Sequence, residues 1–424
     1  MKKTNLKTIT MRQLTRYLAG DKNVLLEGVG GSGKTTAILR YLKRKRKKLS
    51  VLILAPTGLA STKYDDGRTI HSALNLPCTP LGPDYRITDT GILDDIDLLI
   101  IDEISMVRLD VYHCIRESVK EHEASTGHHI RIIMLGDTQQ LAPVITSKDR
   151  EKLNELWREI LPHGIGSGHF FKSPSFDEDE FVHLFLPENL RNPDDEFNKA
   201  LNKMREGDPE CIDYFNQFYS EDAQYYAIFP HLTFTRELSR QINQAFIRYY
   251  SGGDTTTYFA FSPDKCSGWY PTSSHLAPYY PVDLCMELFV GERVMTIQNT
   301  SHYKNGLMGT IVELTDSAVF VTFDNGQKAV KVTRTLIGHN ADDEYIEGES
   351  DLKQFILQFP LVPAYSMTFH KSQAQTFPQA VIHLEGACMP GLVYTAISRI
   401  ACTDGLYLAD KLTPKMVHAF HIYD

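Results

Sequence analysis

A glycine-rich segment near the amino terminus has the residue types and spacing that bind phosphate. Gly28-Val-Gly-Gly-Ser-Gly-Lys-Thr35 fits the pattern G-x-x-x-x-G-K-[ST] and stands between a short apolar run and a helical stretch. Its glycines let backbone N–H groups turn inward around phosphate oxygens, Lys34 reaches the β- and γ-phosphates, and Thr35 is placed to bind Mg²⁺. The pattern predicts a nucleotide-binding loop rather than a chance glycine-rich turn.

Two further segments carry polar residues directly after apolar runs. The apolar residues 98–101 are followed by Asp102, which we expect near the metal, and Glu103, which we expect near the attacking water as general base or orienting group. A surface Asp-Glu pair is the alternative, but a phosphate-binding loop requires a carboxylate near its metal. Residues 135–144 predict a strand and a polar turn that place Gln140 at the γ-phosphate, although Gly-Asp after a strand is also a common turn.

The elements that must position these residues alternate between strand and helix. Continuous apolar runs predict strands over 23–27, 51–55, 97–101 and 131–135, and a helix is predicted over 35–47. Such runs separated by helical segments are typical of buried parallel strands. The first 145 residues therefore predict an α/β doubly wound domain.

The rest of the chain changes character several times. Residues 187–250 have a mostly helical pattern, with Phe197, Leu201 and Met204 spaced for one helix face. The Pro- and Gly-rich segment 76–93 predicts a loop or a small inserted subdomain. Alternating apolar residues over 292–336, with Asn-Gly pairs at 305–306 and 325–326, predict hairpins of a small β-barrel-like insertion. After the acidic stretch 342–351, a strand over 379–384 and a helix over 391–400 are predicted.

Composition excludes several classes of protein. The 424 residues are 42% hydrophobic, with 44 Lys and Arg against 53 Asp and Glu for a net charge of −9. The chain is long enough for several packed domains and has no apolar run approaching the ~18 residues of a membrane span. Its seven cysteines have no metal-ligand spacing, which argues against structural zinc, and they suit a reducing compartment. We expect no membrane partner and a cytoplasmic location, or the nucleus or mitochondrion if the source is eukaryotic.

Several motifs in order resemble one family. The first half resembles the first RecA-like domain of superfamily 1B helicases of the Pif, RecD and Dda group in the segments Gly28–Thr36, Ala55-Pro-Thr-Gly58, Thr69-Ile-His-Ser72, Ile101–Met106 and Gly136-Asp-x-x-Gln140. The second half is similar in Leu190–Phe197, Arg205-Glu-Gly207, Phe369-His-Lys-Ser-Gln373 and Tyr394–Arg399. The likeness spans the chain from Gln13 to Arg399.

The resemblance implies an α/β architecture of two RecA-like P-loop domains. It assigns 1–75 and 94–185 to the ATP-binding domain, 76–93 to a strand-separating wedge, 186–290 and 352–424 to the second RecA-like domain, and 291–351 to an SH3-like β-barrel insertion.

The resemblance also implies roles for individual residues. The catalytic residues would be Lys34, Glu103, Gln140, Arg191 and Arg399. Nucleotide would be bound by Gln13 as the adenine-reading residue and by Gly28, Gly30, Gly31, Ser32, Gly33, Lys34, Thr35 and Thr36, with Thr35 and Asp102 holding the metal. Single-stranded DNA would be contacted by Thr57, Gly58, His71, Ser72, Tyr85, Pro143, His370, Lys371 and Gln373.

For some of these residues, the residue types alone also permit structural interpretations. Without the resemblance, Arg191 is better interpreted as a solvent contact at a helix amino terminus and Arg399 as a helix surface charge. His71 is also interpretable as a core histidine, Lys371 as a solvated charge and Tyr85 as part of a loop.

The function that the resemblance implies is an ATP-dependent 5′→3′ DNA helicase that uses Mg²⁺, moves along single-stranded DNA and unwinds duplex. Its expected partners are single-stranded DNA, fork junctions and proteins of replication, repair or recombination, and we expect a monomer when free. A superfamily 1 helicase acting on RNA is the alternative, because a phosphate-gripping track need not sense the 2′-OH. A P-loop kinase or GTPase and a pure binding module are further alternatives, although Asn202-Lys203-Met204-Arg205 does not match the Asn-Lys-x-Asp guanine motif.

Overall fold

The computed structural model describes residues 6–45, 49–226, 229–261, 280–338, 355–372, 375–387 and 389–420, and the chain divides into two compact units. The first unit is Met1–Gln224 with Phe369–Asp424, and the second is Tyr225–Thr368.

The strands in the described residues are numbered in chain order. They are β1 (Lys7–Thr8), β2 (Asn23–Gly28), β3 (Val51–Ala55), β4 (Arg68–Thr69), β5 (Leu98–Ile101), β6 (Arg131–Gly136), β7 (Phe181–Leu186), β8 (His231–Thr233), β9 (Thr256–Phe259), β10 (Cys285–Leu288), β11 (Arg293–Thr296), β12 (Met308–Leu314), β13 (Ala318–Phe323), β14 (Val330–Thr333), β15 (Thr335–Gly338), β16 (Phe355–Gln358), β17 (Leu361–Pro363), β18 (Ser366–Thr368), β19 (Ala380–Ile382) and β20 (Leu406–Leu408).

The helices are numbered in the same way. They are α1 (Met11–Leu18), α2 (Lys34–Lys45), α3 (Gly58–Ser61), α4 (Ile70–Leu74), α5 (Gly91–Asp94), α6 (Leu109–Thr126), α7 (Ser147–Leu156), α8 (Asp195–Arg205), α9 (Ile212–Asn216), α10 (Arg236–Ser251), α11 (Phe369–Ser372) and α12 (Leu392–Ile397). Among the residues that the structure describes, none of these helices combines the length and the apolar character needed to span a bilayer.

Within its described residues, the first unit is built on a seven-stranded sheet. The strand order is β1-β7-β2-β6-β5-β3-β4, and every neighbouring pair runs parallel. Parallel strands are covered on both faces, which explains why their sequences are continuous apolar runs rather than alternating ones. The prediction of an α/β fold with a parallel sheet is confirmed, as are the four predicted strands and the helix after the glycine-rich segment.

Successive side chains along these strands enter two separate cores. Leu25, Leu99 and Ile101 pack on one face of the sheet with α6, whereas Leu26 and Ile100 pack on the other face with α1 and α2. This alternation follows from the two-residue side-chain period of a strand. Both faces of the sheet are therefore buried. The polar residues that follow β2, β5 and β6 lie at the edge of the sheet where the carboxyl ends of the parallel strands meet.

The Pro- and Gly-rich segment 76–93 packs into the first of these cores. Leu81 and Ile87 are buried there. The Leu81 backbone N–H donates to Asp110 Oδ2 at 2.8 Å, and the indole N–H of Trp157 donates to the Leu81 carbonyl at 2.9 Å. The sequence predicts either a loop or a small inserted subdomain here, and the segment is best described as a loop anchored on the domain core.

The helical pattern after residue 187 is confirmed in α8. Phe197, Leu201 and Met204 are buried, as their spacing predicts, and Asp194 caps the helix by accepting N–H groups of Glu196 and Phe197. The predicted strand over 379–384 and helix over 391–400 correspond to the shorter β19 and α12.

In its described part, the second unit contains a five-stranded antiparallel sheet in the order β14-β13-β12-β11-β17. The Asn-Gly pair at 325–326 lies in the connection between β13 and β14, where Gly326 has a φ of 93° that favours glycine. The Asn-Gly pair at 305–306 also separates two antiparallel strands, β11 and β12, as the hairpin prediction requires. It lies near the end of a longer connection, which is closed by the Gly306 N–H donating to the Thr296 carbonyl at 2.8 Å. The acidic stretch 342–351 lies outside the described residues.

A buried carboxyl in the second unit gives its stability a pH dependence. Glu292 is 0% exposed, and burial raises its pKa to about 8, with Asp283 adding to the rise. A raised carboxyl pKa stabilises the fold below the ordinary value near 4.5, and the stabilisation is lost as the pH rises through about 8. We therefore expect the free energy of unfolding to fall by on the order of a few kcal/mol between about pH 5 and pH 8.

Glu292→Gln should remove this pH dependence. Denaturant unfolding at several pH values, followed in parallel for Glu292→Gln and for the exposed control Glu287→Gln, measures it. If the slope in the Glu292→Gln protein equals that of the unsubstituted chain, another group is responsible.

Candidate functional site

The glycine-rich loop joins β2 to α2 at the carboxyl edge of the parallel sheet. Gly31 and Gly33 have φ values of 85° and 81°, which non-glycine residues rarely adopt. A Cβ on Gly31 would lie 2.2 Å from Asn189 Oδ1, so this position also lacks space for a side chain. The segment before α8 packs here because the Leu190 N–H donates to the Gly31 carbonyl at 3.0 Å.

Lys34, the first residue of α2, directs its ammonium into the loop. Its Nζ donates to the Gly28 carbonyl at 2.7 Å and to the Val29 carbonyl at 3.2 Å. Burial lowers the pKa of Lys34, while the carboxylates of Asp137 and Glu103 oppose this shift. The ammonium is therefore held where a loop-bound phosphate would meet it.

The acids after β5 form the second wall of the site. Thr35 Oγ1 donates to Asp102 Oδ2 at 3.4 Å, and the buried Tyr64 hydroxyl donates to the same oxygen at 2.9 Å. Glu103 has the left-handed backbone conformation, φ 51°, which costs a non-glycine residue about 1 kcal/mol or more. Lys63 Nζ lies 3.0 Å from Glu103 Oε1.

The charge state of Glu103 depends on these cations. Burial alone would raise its pKa, but Lys63 and Arg399 outweigh burial and lower the pKa to about 2. Glu103 is therefore a carboxylate at neutral pH, able to accept a hydrogen bond from water.

Two arginines complete the phosphate end of the site. Arg399 is fully buried, and its Nη2 donates to Gln140 Oε1 at 2.7 Å. Arg191 donates to the carbonyl of Ser398, the residue before Arg399. Burial and the charge of Arg399 lower the pKa of Arg191 to about 9, so the Arg191 guanidinium is charged at neutral pH. Burial also lowers the pKa of Arg399, while Glu103 opposes this shift. Two like charges with little solvent create a strong preference for an anion.

A buried network links the glycine-rich loop to the turn after β6. The Gly30 N–H donates to the Tyr394 hydroxyl at 2.9 Å, and that hydroxyl donates to Asp137 Oδ2 at 2.7 Å. Arg205 pairs with Asp137 Oδ1 at 2.9 Å. Burial would raise the pKa of Asp137, but Arg205 and Lys34 outweigh it and lower the pKa.

These groups surround one cavity of about 640 Å³. Its lining includes the loop residues Gly30–Thr36 together with Lys63, Asp102, Glu103, Gln140, Arg191 and Arg399. The structure therefore brings together the residues predicted to be catalytic and to hold the metal, and most of those predicted to bind nucleotide.

Gln13 occupies a different position from the loop residues. It is exposed on α1, and its Oε1 accepts the Thr10 N–H at 2.8 Å in a capping box at the start of that helix. Met11 of the same helix lines the cavity. Gln13 therefore contributes to the cap of its own helix, and its role in reading adenine stays a prediction.

Four residues predicted to contact a nucleic acid strand lie side by side at the sheet edge. Thr57 and Gly58 follow β3, His71 and Ser72 follow β4, and the two strands pair with Ala55 opposite Thr69. Ser72 is exposed and the other three are half-buried. Thr57 Oγ1 accepts the Ala60 N–H at 3.2 Å as the cap of α3.

The other residues predicted to contact single-stranded DNA differ in burial and lie in separate parts of the fold. Pro143 is buried, whereas Val144 beside it is 53% exposed. Tyr85 is half-buried and packs against the core beneath segment 76–93. His370 and Lys371 belong to α11, and Gln373 lies outside the described residues.

Several site residues were missed by the sequence reasoning. Lys63 and Tyr64 follow a recognised motif but have no distinctive spacing of their own. Asp137, Arg205 and Tyr394 belong to the motifs that carried the resemblance, yet nothing in the sequence marked them as one network. Their signal was the clustering of charged and phenolic residues inside those motifs.

The fold and the site define a P-loop protein of the α/β class with paired arginines at the phosphate end of the nucleotide cavity. The family model described as PIF1-like helicase matches residues 12–160. The ATP-dependent DNA helicase Pif1 of Bdellovibrio bacteriovorus is 27% identical over 432 residues, covering 96% of this chain and 90% of that protein.

Solved structures give the same result. The Pif1 helicase from Bacteroides in complex with ADP-AlF3 and single-stranded DNA is 28% identical, with a TM-score of 0.76 and coverage of 97% of this chain and 94% of that chain. A structure of two coordinating Pif1 helicases at forked double-stranded DNA is 27% identical, with a TM-score of 0.75 and the same coverages. The resemblance to Pif helicases drawn from the motifs is confirmed by these matches.

Proposed function

We propose that this chain is an ATP-dependent DNA helicase that moves 5′→3′ along single-stranded DNA and separates the duplex ahead of it. The observation that carries the proposal is the convergence of Lys34, Glu103 and Arg399 on one cavity behind a glycine-rich loop. The Bdellovibrio relative described above is named an ATP-dependent DNA helicase, and the Bacteroides Pif1 helicase is described in complex with ADP-AlF3 and single-stranded DNA.

In the hydrolysis step, each group acts on a different part of the reaction. Backbone N–H groups of the loop and the Lys34 ammonium hold the β- and γ-phosphates. The Glu103 carboxylate orients the attacking water and accepts its proton. Gln140 and the two arginines stabilise the charge that develops on the transferred phosphoryl group, whose transition state is loose and has its charge spread over the equatorial oxygens.

The donor set suits Mg²⁺. Thr35 Oγ1 and Asp102 Oδ2 are hard oxygen donors 3.4 Å apart, and Mg²⁺ prefers a few such ligands together with phosphate oxygens. Thr35 and Asp102 would hold the ion. When bound, it neutralises negative charge on the phosphates.

We infer that hydrolysis is sensitive to domain position because Arg191 and Arg399 belong to the proposed second RecA-like domain, 186–290 and 352–424. A guanidinium supplied by that domain acts only when the domain lies against the loop-bearing domain, 1–75 and 94–185. ATP binding would favour closure and hydrolysis would favour opening, so each cycle would change the grip on the strand.

We propose that the strand passes over the sheet edge at Thr57, Gly58, His71 and Ser72, with His370, Lys371 and Gln373 contacting it from the second domain. Hydroxyl, imidazole and backbone groups there bind phosphates without reading sequence. The exposed Val144 offers an apolar contact beside Pro143. Segment 76–93 with Tyr85 is the proposed wedge, and 291–351 the proposed SH3-like insertion. We propose a monomer when free that binds fork junctions and works with replication, repair or recombination proteins.

A strand-displacement assay tests the function directly. With ATP and Mg²⁺, we expect unwinding of a duplex with a 5′ single-stranded DNA tail and little unwinding of the same duplex with a 3′ tail. A matched pair of RNA-tailed substrates distinguishes the RNA alternative. Preference for the 3′ tail would contradict the polarity, and preference for RNA would contradict the substrate.

A further inference from the structure

Lys63 is the lysine of the cavity that the proposed mechanism does not use. Its ammonium lies 3.0 Å from Glu103 Oε1 and 3.9 Å from Asp102 Oδ2, and its side chain is 22% exposed. The Glu103 side chain is 11% exposed, so this ion pair is mostly shielded from solvent. Shielded pairs with good geometry fix the position of a carboxylate far better than surface pairs do.

Glu103 needs such a partner because its own backbone is unfavourable. A φ of 51° is uncommon outside glycine and persists when surrounding contacts hold it. Lys63 contacts the side chain, and the Glu103 N–H donates to Asp102 Oδ1 at 2.8 Å. Glu103 is therefore held at its side chain by Lys63 and at its backbone by Asp102.

The segment that carries Lys63 is closed by local hydrogen bonds and starts at Thr57 and Gly58, which are proposed to contact the DNA. Thr57 caps α3, Ser61 Oγ donates to the Gly58 carbonyl at 2.7 Å, and the Tyr64 N–H donates to the Ser61 carbonyl at 3.2 Å. A Cβ on Gly67 would lie 2.1 Å from the Ser61 carbonyl, so the returning chain packs tightly against this turn. Residues 57–67 are expected to move as one body.

Adjacent residues of this body contact adjacent acids of the site. Lys63 contacts Glu103, and the Tyr64 hydroxyl donates to Asp102 Oδ2 at 2.9 Å. A shift of the turn at Thr57 would therefore be transmitted to both carboxylates. Because the phosphoryl-transfer transition state is loose, orienting the attacking water matters more than the basicity of the carboxylate.

We propose that Lys63 is a positioning residue that holds Glu103 in place for DNA-stimulated ATP hydrolysis. The inference rests on the proposed function, because it assigns Glu103 to the hydrolysis step. It adds a connection from the strand-contacting turn to the water-orienting carboxylate.

The test compares Lys63→Ala, Lys63→Arg and the control Lys152→Ala in the full chain. Lys152 pairs with Glu155 at 2.9 Å on the exposed face of α7 and serves as an ion pair outside the site. We expect Lys63→Ala to lower kcat with saturating oligo(dT) by about 10- to 100-fold, with KM for ATP and the Kd of a fluorescent ATP analogue within about threefold of the original values. Lys63→Arg should retain most of kcat, and Lys152→Ala should be unchanged.

A double-mutant cycle identifies the path of the effect. If Lys63 acts through Glu103, Lys63→Ala should cause no further loss of kcat in a Glu103→Gln background. An equal loss in both backgrounds would overturn the proposal, as would a kcat for Lys63→Ala within twofold of the original or a rise in its DNA-free rate. If the unsubstituted chain hydrolyses no ATP, or if single-stranded DNA does not stimulate it, the proposed function fails instead.

Discussion

Replacing Lys34 by alanine is expected to lower the rate of ATP hydrolysis by about 10²- to 10³-fold or more, and to abolish unwinding with it. The ammonium lies inside the loop, 2.7 Å from the Gly28 carbonyl, and alanine provides no charge for the β- and γ-phosphates. A buried cation directed at phosphate acts in a low-dielectric site, where its effect on developing charge is larger than in water. Steady-state phosphate release in the presence of single-stranded DNA measures the loss.

The fold should survive this substitution. The Lys34 contacts are to carbonyls of its own loop, so its removal leaves the parallel sheet and both of its cores unchanged. We expect the same thermal unfolding midpoint within a few degrees for Lys34→Ala and the unsubstituted chain. Retained DNA-stimulated hydrolysis in a folded Lys34→Ala protein would refute the assignment of the loop as the catalytic nucleotide site.

The parts of this molecule that the sequence predicts well are those governed by local rules. The parallel strands are apolar because both faces are buried, and the loop after β2 needs glycine because Gly31 has no space for a Cβ. Phe197, Leu201 and Met204 predict α8 by their period alone. Each of these features depends on a few neighbouring residues, so the pattern carries the information.

What the sequence does not reveal are contacts between distant segments. Asp137 pairs with Arg205 at a separation of 68 residues, and Tyr394 donates to Asp137 at a separation of 257. Neither pairing has a local periodicity. The Asn-Gly pair at 305–306 shows what the local signal leaves open, because it lies near the end of a long connection between β11 and β12 rather than in a two-residue turn. Tertiary contacts override local preference at such positions.

Net charge is a further property whose meaning depends on the fold. The chain carries −9 overall, yet the cavity is lined by five basic residues against two acids: Lys34, Arg40, Lys63, Arg191 and Arg399 against Asp102 and Glu103. A local positive field of this kind concentrates an anionic ligand in spite of the global charge. The same cations repel one another when buried, so bound triphosphate would relieve strain as well as supply contacts.

Because the two arginines are buried together at the phosphate end of the cavity, replacing one of them tests the proposed mechanism directly. Arg399→Ala is expected to lower kcat by about 10³-fold while the Kd for an ATP analogue changes by less than about tenfold, because the guanidinium stabilises charge that develops only during phosphoryl transfer. Arg399 Nη2 donates to Gln140 Oε1 at 2.7 Å, and its Nε donates to the Thr395 carbonyl at 3.1 Å, so the fork is already aligned. Arg399→Lys keeps a charge but loses the fork, and an intermediate kcat is expected.

A matched control separates catalysis from the loss of a buried guanidinium. Arg131 is also buried and donates to the carbonyls of Leu18 and Lys22 at 2.8 Å, but it lies at the opposite edge of the sheet from the glycine-rich loop. Arg131→Ala should lower the unfolding midpoint, as Arg399→Ala also should, yet kcat per folded molecule should stay near the original value below that midpoint. If Arg399→Ala lowers kcat no more than Arg131→Ala does, Arg399 serves packing rather than phosphoryl transfer, and sensing of domain closure through Arg399 is refuted.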